Sequence, residues 1–123
     1  MEELLYGVGI FVPVTDLTRS KKWYMDMLGF ELVHEDEPDA YTMKLGDRRV
    51  MICLVKCEQI EQPRFPKNNY AVDVYYNFHT DNVDAAYEDL LKKGANIGEI
   101  QNYDGIRGFD VRDPDGNRFG VVT

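Results

Sequence analysis

The order of predicted elements in the first half of the chain recurs in the second half, and this internal repeat narrows the possible folds. Leu5–Val14 is mostly apolar and typical of a strand, and Leu17–Leu28 has apolar residues at helical spacing. Strand-like runs follow at Phe30–His34, Ala40–Leu45 and Val50–Val55. The first half therefore predicts a βαβββ module.

The second half shows the same succession. Ala71–Thr80 has the composition of a strand, and the apolar residues of Val83–Leu91 form one helical stripe. Three further strands are predicted at Asn96–Gln101, Gly105–Arg112 and Asn117–Val122. Two consecutive βαβββ modules indicate an α+β protein.

Local signals mark the ends of these elements. Asp16 can cap the first helix and the run Thr80–Asn82 the second, because short polar side chains accept hydrogen bonds from free backbone N–H groups. Gly29 and Gly94 follow the two helices, where glycine commonly ends a helix. Asp113–Gly116 matches the preferences of a type I turn and predicts a tight hairpin between the last two strands.

A polar segment separates the two halves. Glu58–Asn69 contains Pro63 and Pro66, which interrupt regular structure. We predict that residues 1–57 form the first module, 58–69 a linker and 70–123 the second module. A chain of 123 residues is long enough to bury a core, so residues 1–123 are expected to form a single domain.

Composition excludes several partners. The 22 acidic residues exceed the 14 basic ones and give a net charge of −8, which disfavours nucleic acid and anionic lipid as partners. This acidity serves solubility alone or attracts cationic ligands. No apolar run reaches the roughly 18 residues that span a bilayer. The first residues lack a basic start and an apolar run, so we expect a cytoplasmic protein.

Three stretches carry a resemblance to a known family. They are Val12–Ser20 continuing through Trp23 to Phe30, Asn82–Gly94, and Phe109–Asn117. Together they resemble the vicinal oxygen chelate superfamily, which includes glyoxalase I, extradiol dioxygenases, fosfomycin-resistance enzymes and bleomycin-resistance proteins. The resemblance implies the glyoxalase/bleomycin-resistance fold, in which two βαβββ modules form a cup-shaped mixed sheet with helices outside. It also implies a homodimer.

Metal-dependent members of this family place ligands at four strand positions that face into the cup. The resemblance puts these positions at Gly9, Cys53, Tyr75 and Gly120. Glycine has no donor atom and neutral tyrosine binds divalent ions poorly, whereas such sites need several histidine and carboxylate ligands. We therefore predict neither a metal nor another cofactor.

Other catalytic or metal-binding patterns are lacking. Cys53 and Cys57 have no second cysteine pair with which to complete a zinc site. His34 is predicted at the surface, and His79 has no adjacent nucleophile or general base in the sequence. No catalytic residue is assigned.

Strand parity predicts which side chains face into the implied cup, since side chains alternate between the two faces of a strand. The predicted ligand-binding residues are Phe11, Met51, Cys53, Tyr75, Asn77, His79 and Arg118. Aromatic and sulfur-containing groups with a few polar ones suit an organic ligand. The alternative is that these side chains simply fill the cup as core.

These observations favour a binding protein over an enzyme. We expect a metal-free small-molecule-binding protein of the glyoxalase/bleomycin-resistance type, which sequesters a cationic or aromatic compound such as an antibiotic. One alternative is a glyoxalase-family lyase or isomerase with an atypical site that lacks the usual metal. Another is a partner subunit or regulator whose cup is vestigial.

Overall fold

A computed structural model describes residues 4–47, 49–103 and 105–123, with the backbone alone for Tyr103. The chain divides into two compact units, the first ending at Ile60 and the second running from Glu61 to Thr123. Within the described residues each unit contains one sheet and one helix, so the protein is α+β. Neither helix in these ranges is long and apolar enough to cross a membrane.

The first unit is a βαβββ module, as predicted. Its elements are β1 (Val8–Val14), α1 (Leu17–Leu28), β2 (Glu31–Asp36), β3 (Ala40–Leu45) and β4 (Val50–Lys56). The sheet order is β1-β4-β3-β2, with β1 parallel to β4 and the other pairs antiparallel. The strand predicted from Leu5 begins only at Val8, because its pairing with β4 begins where β4 itself begins, at Val50.

One face of the first sheet packs against α1. Alternating residues of the strands supply this buried face, whereas their neighbours point to the other side. The core contains Val12, Val14, Leu17, Tyr24, Phe30, Tyr41, Met43, Ile52 and Leu54. Asp16 caps α1 by accepting a hydrogen bond from the Arg19 N–H at 3.0 Å, and Gly29 ends the helix with φ 79°. Both helix ends therefore lie where the sequence predicted them.

The second unit also begins with a strand and a helix. Its elements are β5 (Asn77–His79), α2 (Val83–Lys92), β6 (Asn96–Ile97), β7 (Gln101–Tyr103), β8 (Ile106–Arg112) and β9 (Arg118–Val122). The sheet order is β5-β9-β8-β6, and β7 also pairs with β8. β5 is parallel to β9, and α2 packs on β6, β8 and β9. The core contains Val83, Leu90, Phe109, Val111, Phe119 and Val121.

The single strand predicted over Asn96–Gln101 is interrupted at Gly98. The Gly98 N–H donates to the Asp110 carbonyl at 2.9 Å, and the Asp110 carboxylate lies over the glycine. A Cβ at position 98 would be 2.1 Å from Asp110 Oδ1, so any other residue would have to displace that carboxylate. Between the pairs Ile97↔Val111 and Gln101↔Gly108, three residues stand opposite two, and this one-residue bulge divides the stretch into the short strands β6 and β7.

The strand predicted over Ala71–Thr80 is also shorter, because Asn68 organises the backbone that precedes it. Its Oδ1 accepts from the N–H groups of Tyr70 and Val72, and its Nδ2 donates to the Val72 carbonyl at 2.7 Å. Ala71 has a left-handed φ of 58°. Such local side-chain bonds compete with strand pairing as far as Val72, and β5 itself starts at Asn77.

The turn between β8 and β9 has the predicted tight form. The Gly116 N–H donates to the Asp113 carbonyl at 3.0 Å. The buried Asp113 carboxylate accepts from the N–H groups of Asp115 and Asn117 and from the Asn117 amide, at 2.8–2.9 Å. These bonds consume the carboxylate, so this motif is a structural turn.

Candidate functional site

Three of the predicted ligand-binding residues lie together on adjacent strands of the first unit. Phe11 of β1 pairs with Cys53 of β4, and Gly9 pairs with Met51. These four residues form what we call the first open face, on the side of the sheet opposite α1. Phe11 is 75% exposed, whereas Met51 and Cys53 are half-buried. The face thus presents an aromatic ring beside two sulfur-containing side chains.

A shallow apolar cavity adjoins this face. Its volume is about 250 Å³, and its lining is Leu4, Leu5, Tyr6, Gly7, Val8, Gly9 and Met51. Gly7 lies so close to the Arg49 backbone that a Cβ there would be 2.5 Å from the Arg49 carbonyl oxygen. Sequence reasoning assigned part of this stretch to β1 and missed the cavity. The signal available was the adjacent apolar pair Leu4-Leu5, which lines the cavity.

Polar groups lie further across the same sheet. Thr42 of β3 pairs with Cys53, and its hydroxyl donates to the Cys53 sulfur at 3.7 Å. Lys44 pairs with Met51 in register and forms an ion pair with Glu31 at 3.7 Å. The same side of the first sheet is therefore apolar on β1 and β4, where the first open face lies, and polar on β3.

Two more predicted residues, Asn77 and His79, lie on β5 of the second unit and are exposed. In the parallel register Asn77 pairs with Gly120, and His79 pairs with Val122. The Asn77 Oδ1 lies only 1.9 Å from where a Cβ at position 120 would be, and its Nδ2 donates to the Val74 carbonyl at 3.1 Å. The Asn77 amide therefore fills the space that a side chain at 120 would need.

Arg118 is held by two carboxylates of the second unit. Its Nε donates to Asp110 at 2.7 Å, and its Nη1 donates to Asp73 at 3.0 Å. The hydrogen bond that Arg118 donates to Asp110 raises the pKa of Arg118, with Asp73 adding to the effect. The guanidinium charge is thus already neutralised, which leaves little attraction for an anionic ligand.

The seventh predicted residue, Tyr75, does not lie on β5 as expected. It lies in the stretch of residues 61–76 before that strand, which we call the aromatic segment. Its ring stacks on Phe65 with centroids 4.1 Å apart and planes 7° apart. Its hydroxyl donates to the Pro66 carbonyl at 3.2 Å and accepts from Asn68 at 2.7 Å. Phe65 and Asn68 lie in the predicted linker. The sequence signal that could have indicated this contact was an aromatic residue, Phe65, among polar ones.

The residues at the four positions that the resemblance assigns to metal ligands do not fit a divalent metal. Gly9 and Gly120 have no side-chain donor atom, and the Asn77 amide covers Gly120. The hydroxyl of Tyr75 is engaged by Asn68 and Pro66. Across the part of the chain that the structure describes, no three His, Cys, Asp or Glu side chains form a group that could hold a metal ion.

Comparison with known proteins places these observations in a family. The family model described as the glyoxalase/bleomycin resistance protein/dioxygenase superfamily matches residues 8–121. A comparison with curated protein sequences gave no match.

Solved structures share the fold over nearly the whole chain. An integron cassette protein from the mobile metagenome of a Halifax Harbour sewage outfall has a TM-score of 0.78 at 18% identity, covering 97% of each chain. A superfamily member from Sphaerobacter thermophilus DSM 20745 has a TM-score of 0.75 at 25% identity, again covering 97% of each chain. TnmS3, an antibiotic binding protein from Streptomyces sp. CB03234, has a TM-score of 0.74 at 22% identity, covering 98% of this chain and 97% of its own.

Proposed function

We propose that this chain, which belongs to the glyoxalase/bleomycin resistance protein/dioxygenase superfamily, is a metal-free binding protein for a small aromatic or cationic molecule. The observation that carries the proposal is the chemistry of the first open face. Gly9 stands at a family ligand position, and exposed Phe11 and half-buried Met51 surround it beside an apolar cavity. Such a surface offers apolar contact. Among the described residues, its Cys53 sulfur is not joined by further His, Cys, Asp or Glu side chains into a group that could hold a metal ion.

The net charge of the chain and the pairing of Arg118 favour a cationic ligand over an anionic one. The chain carries a net charge of −8, and a field of this sign raises the local concentration of cations. Arg118 is already paired with Asp110 and Asp73. A positively charged ligand can also gain about 0.5–2 kcal/mol from an aromatic face such as that of Phe11.

An antibiotic falls within this class of ligand. TnmS3, which shares the fold with this chain, is described as an antibiotic binding protein. We extend that activity to this chain as part of the proposal, in which the protein sequesters such a molecule in the cytoplasm without chemical change.

We also propose that the protein is a homodimer. β1 is an edge strand of the first sheet, and an exposed edge is commonly covered by another strand or chain. Light scattering should give a mass of twice 14.3 kDa at micromolar concentration. A stable monomer would contradict this part of the proposal.

A thermal-shift screen of aromatic, cationic and anionic compounds, run with a chelator and then with added divalent metals, tests the proposal. We expect aromatic cations to raise Tm equally in both conditions, and their affinity to fall as salt rises, because exposed charges are screened beyond about 10 Å at 0.1 M. The matched variant is Phe11→Ala, which should reduce the shift. Stabilisation that requires added metal would overturn the proposal, as would preference for anions over cations of the same ring system.

A further inference from the structure

Tyr75 is held more rigidly than its place outside any helix or strand would indicate. One face of its ring lies parallel to Phe65 at 4.1 Å, and Tyr76 packs edge-on against Phe65 with centroids 5.9 Å apart. The Tyr75 hydroxyl bonds both to Asn68 and to the Pro66 carbonyl. Stacking fixes the plane of the ring, and the hydroxyl bonds fix its orientation.

The aromatic segment is also tied to the second sheet beyond these contacts. Near its start, the Gln62 amide donates to the Asp115 carbonyl at 3.2 Å and to Asn117 Oδ1 at 3.3 Å. Near its end, Asp73 pairs with Arg118. These ties hold Tyr75 on a defined backbone rather than on a loosely attached loop.

This well-held ring remains accessible. Tyr75 is 37% exposed and Phe65 is 39% exposed. In the described parts of the chain the ring contact of Tyr75 is with Phe65, so its second face is covered by no other aromatic ring. An exposed aromatic ring that is fixed in place loses little further freedom when a ligand stacks on it.

We propose that the outer face of Tyr75 is a stacking platform for a planar aromatic cation. The inference rests on the proposed function and deepens it by naming the recognition element and the class of ligand. A flat ring system continues the Phe65–Tyr75 stack with a third parallel ring, which a saturated molecule cannot do. Positive charge on that ring system adds attraction to the face of the tyrosine and to an acidic protein.

Calorimetry with three probes of similar size separates stacking from charge. 9-Aminoacridine is a planar tricyclic cation, acridine-9-carboxylate has the same ring system with a negative charge, and 1-aminoadamantane is a saturated tricyclic cation. We expect the planar cation to bind most tightly. Equal binding of the saturated cation would overturn a stacking site, and equal binding of the anion would overturn the preference for positive charge.

Variants of the aromatic segment then locate the site. Tyr75→Leu removes the face and should weaken binding of 9-aminoacridine about tenfold, whereas Tyr75→Phe keeps the ring and should weaken it by about threefold or less. The matched control is Tyr70→Leu, because Tyr70 lies on the same segment and is 74% exposed. That variant should bind as the unaltered protein does.

The outcomes distinguish the platform from the proposed function. If Tyr75→Leu binds 9-aminoacridine normally and Phe11→Ala does not, the platform is wrong and the proposed function stands. If 9-aminoacridine does not bind while other aromatic cations from the screen do, the result is again against the platform alone. Nuclear Overhauser contacts between bound 9-aminoacridine and the Tyr75 ring should appear in the unaltered protein. This measurement locates the ligand even if the Tyr75→Leu substitution rearranges the aromatic segment and weakens binding for that reason. Binding without those contacts refutes the platform.

Discussion

Replacing Phe11 with alanine tests whether its side chain contributes to ligand binding or to the stability of the core. A phenylalanine side chain can bury roughly 150–250 Å². Because Phe11 is 75% exposed, only about a quarter of that area, roughly 50 Å², is lost from contact in the variant. At about 25 cal/mol per Å² the free energy of unfolding should fall by about 1 kcal/mol.

Phe30 provides the matched control in the same unit. It is 2% exposed and packs edge-on against Tyr24 with ring centroids 5.9 Å apart. Removing such a buried ring costs about 3–5 kcal/mol, because a cavity remains. Urea denaturation of both variants should therefore show a difference of at least about 2 kcal/mol between them.

Ligand affinity supplies the second half of the Phe11 experiment. A ligand that covers about half of the exposed ring area, roughly 75 Å², gains about 2 kcal/mol from it, which is about thirtyfold in Kd. Phe11→Ala should therefore affect binding more than folding, when titrated with the strongest compound of the screen. If the variant instead loses as much stability as Phe30→Ala and binds normally, Phe11 is a core residue and the first open face is not a binding surface.

Two further predictions concern glycines and pH. Gly108→Ala should lower the free energy of unfolding by about 2 kcal/mol, because its Cβ would be 2.7 Å from the Val121 carbonyl oxygen. Gly9→Ala should leave it unchanged or raise it by up to about 1 kcal/mol, because no atom of the described chain lies within 4 Å of that Cβ. Urea melts giving the two variants equal losses would contradict this contrast. The hydrogen bonds from Arg107 hold the pKa of Asp84 below its usual range, so the pair stabilises the fold above the unfolded-state pKa and ceases to do so as pH falls through the folded-state pKa. Asp84→Asn should therefore lower the urea midpoint near neutral pH and match the unaltered protein in strong acid; a difference that is constant with pH would exclude the ion pair as its cause.

Local sequence signals predicted the first unit well. α1 has the predicted bounds because Asp16 and Gly29, the residues that determine its two ends, directly adjoin the helix in the sequence. β3 also has the predicted bounds. Phe11 and Cys53 share a face as predicted, since side chains alternate along both strands once β1 and β4 are correctly located.

In the second unit, several features could not be predicted from local sequence signals. Val74, Tyr75 and Tyr76 have the composition of a strand, but the register of β5 with β9 begins only at Asn77, and Tyr76 contributes its carbonyl, which accepts from the Gly120 N–H at 2.8 Å. The stack of Tyr75 on Phe65 joins residues ten positions apart through a loop, and no periodicity encodes it. The bulge that separates β6 from β7 depends on the register of both strands with β8, which no local signal encodes.

The structure brings some of the predicted ligand-binding residues together. Phe11, Met51 and Cys53 lie together, and Asn77 and His79 are exposed on one strand as parity required. The two glycines at family ligand positions were recognised from motifs alone, but the amide of Asn77 above Gly120 was not. That these residues bind a ligand remains a prediction.

We propose that this protein binds an organic molecule without a metal. The most direct test is a calorimetric titration of the strongest compound from the screen into protein treated with a chelator and shown by elemental analysis to hold no divalent ion. Because Gly9 and Gly120 offer no donor atoms, we expect the same Kd as for untreated protein. Binding that disappears on chelation and returns with one added transition-metal ion per chain would contradict the account.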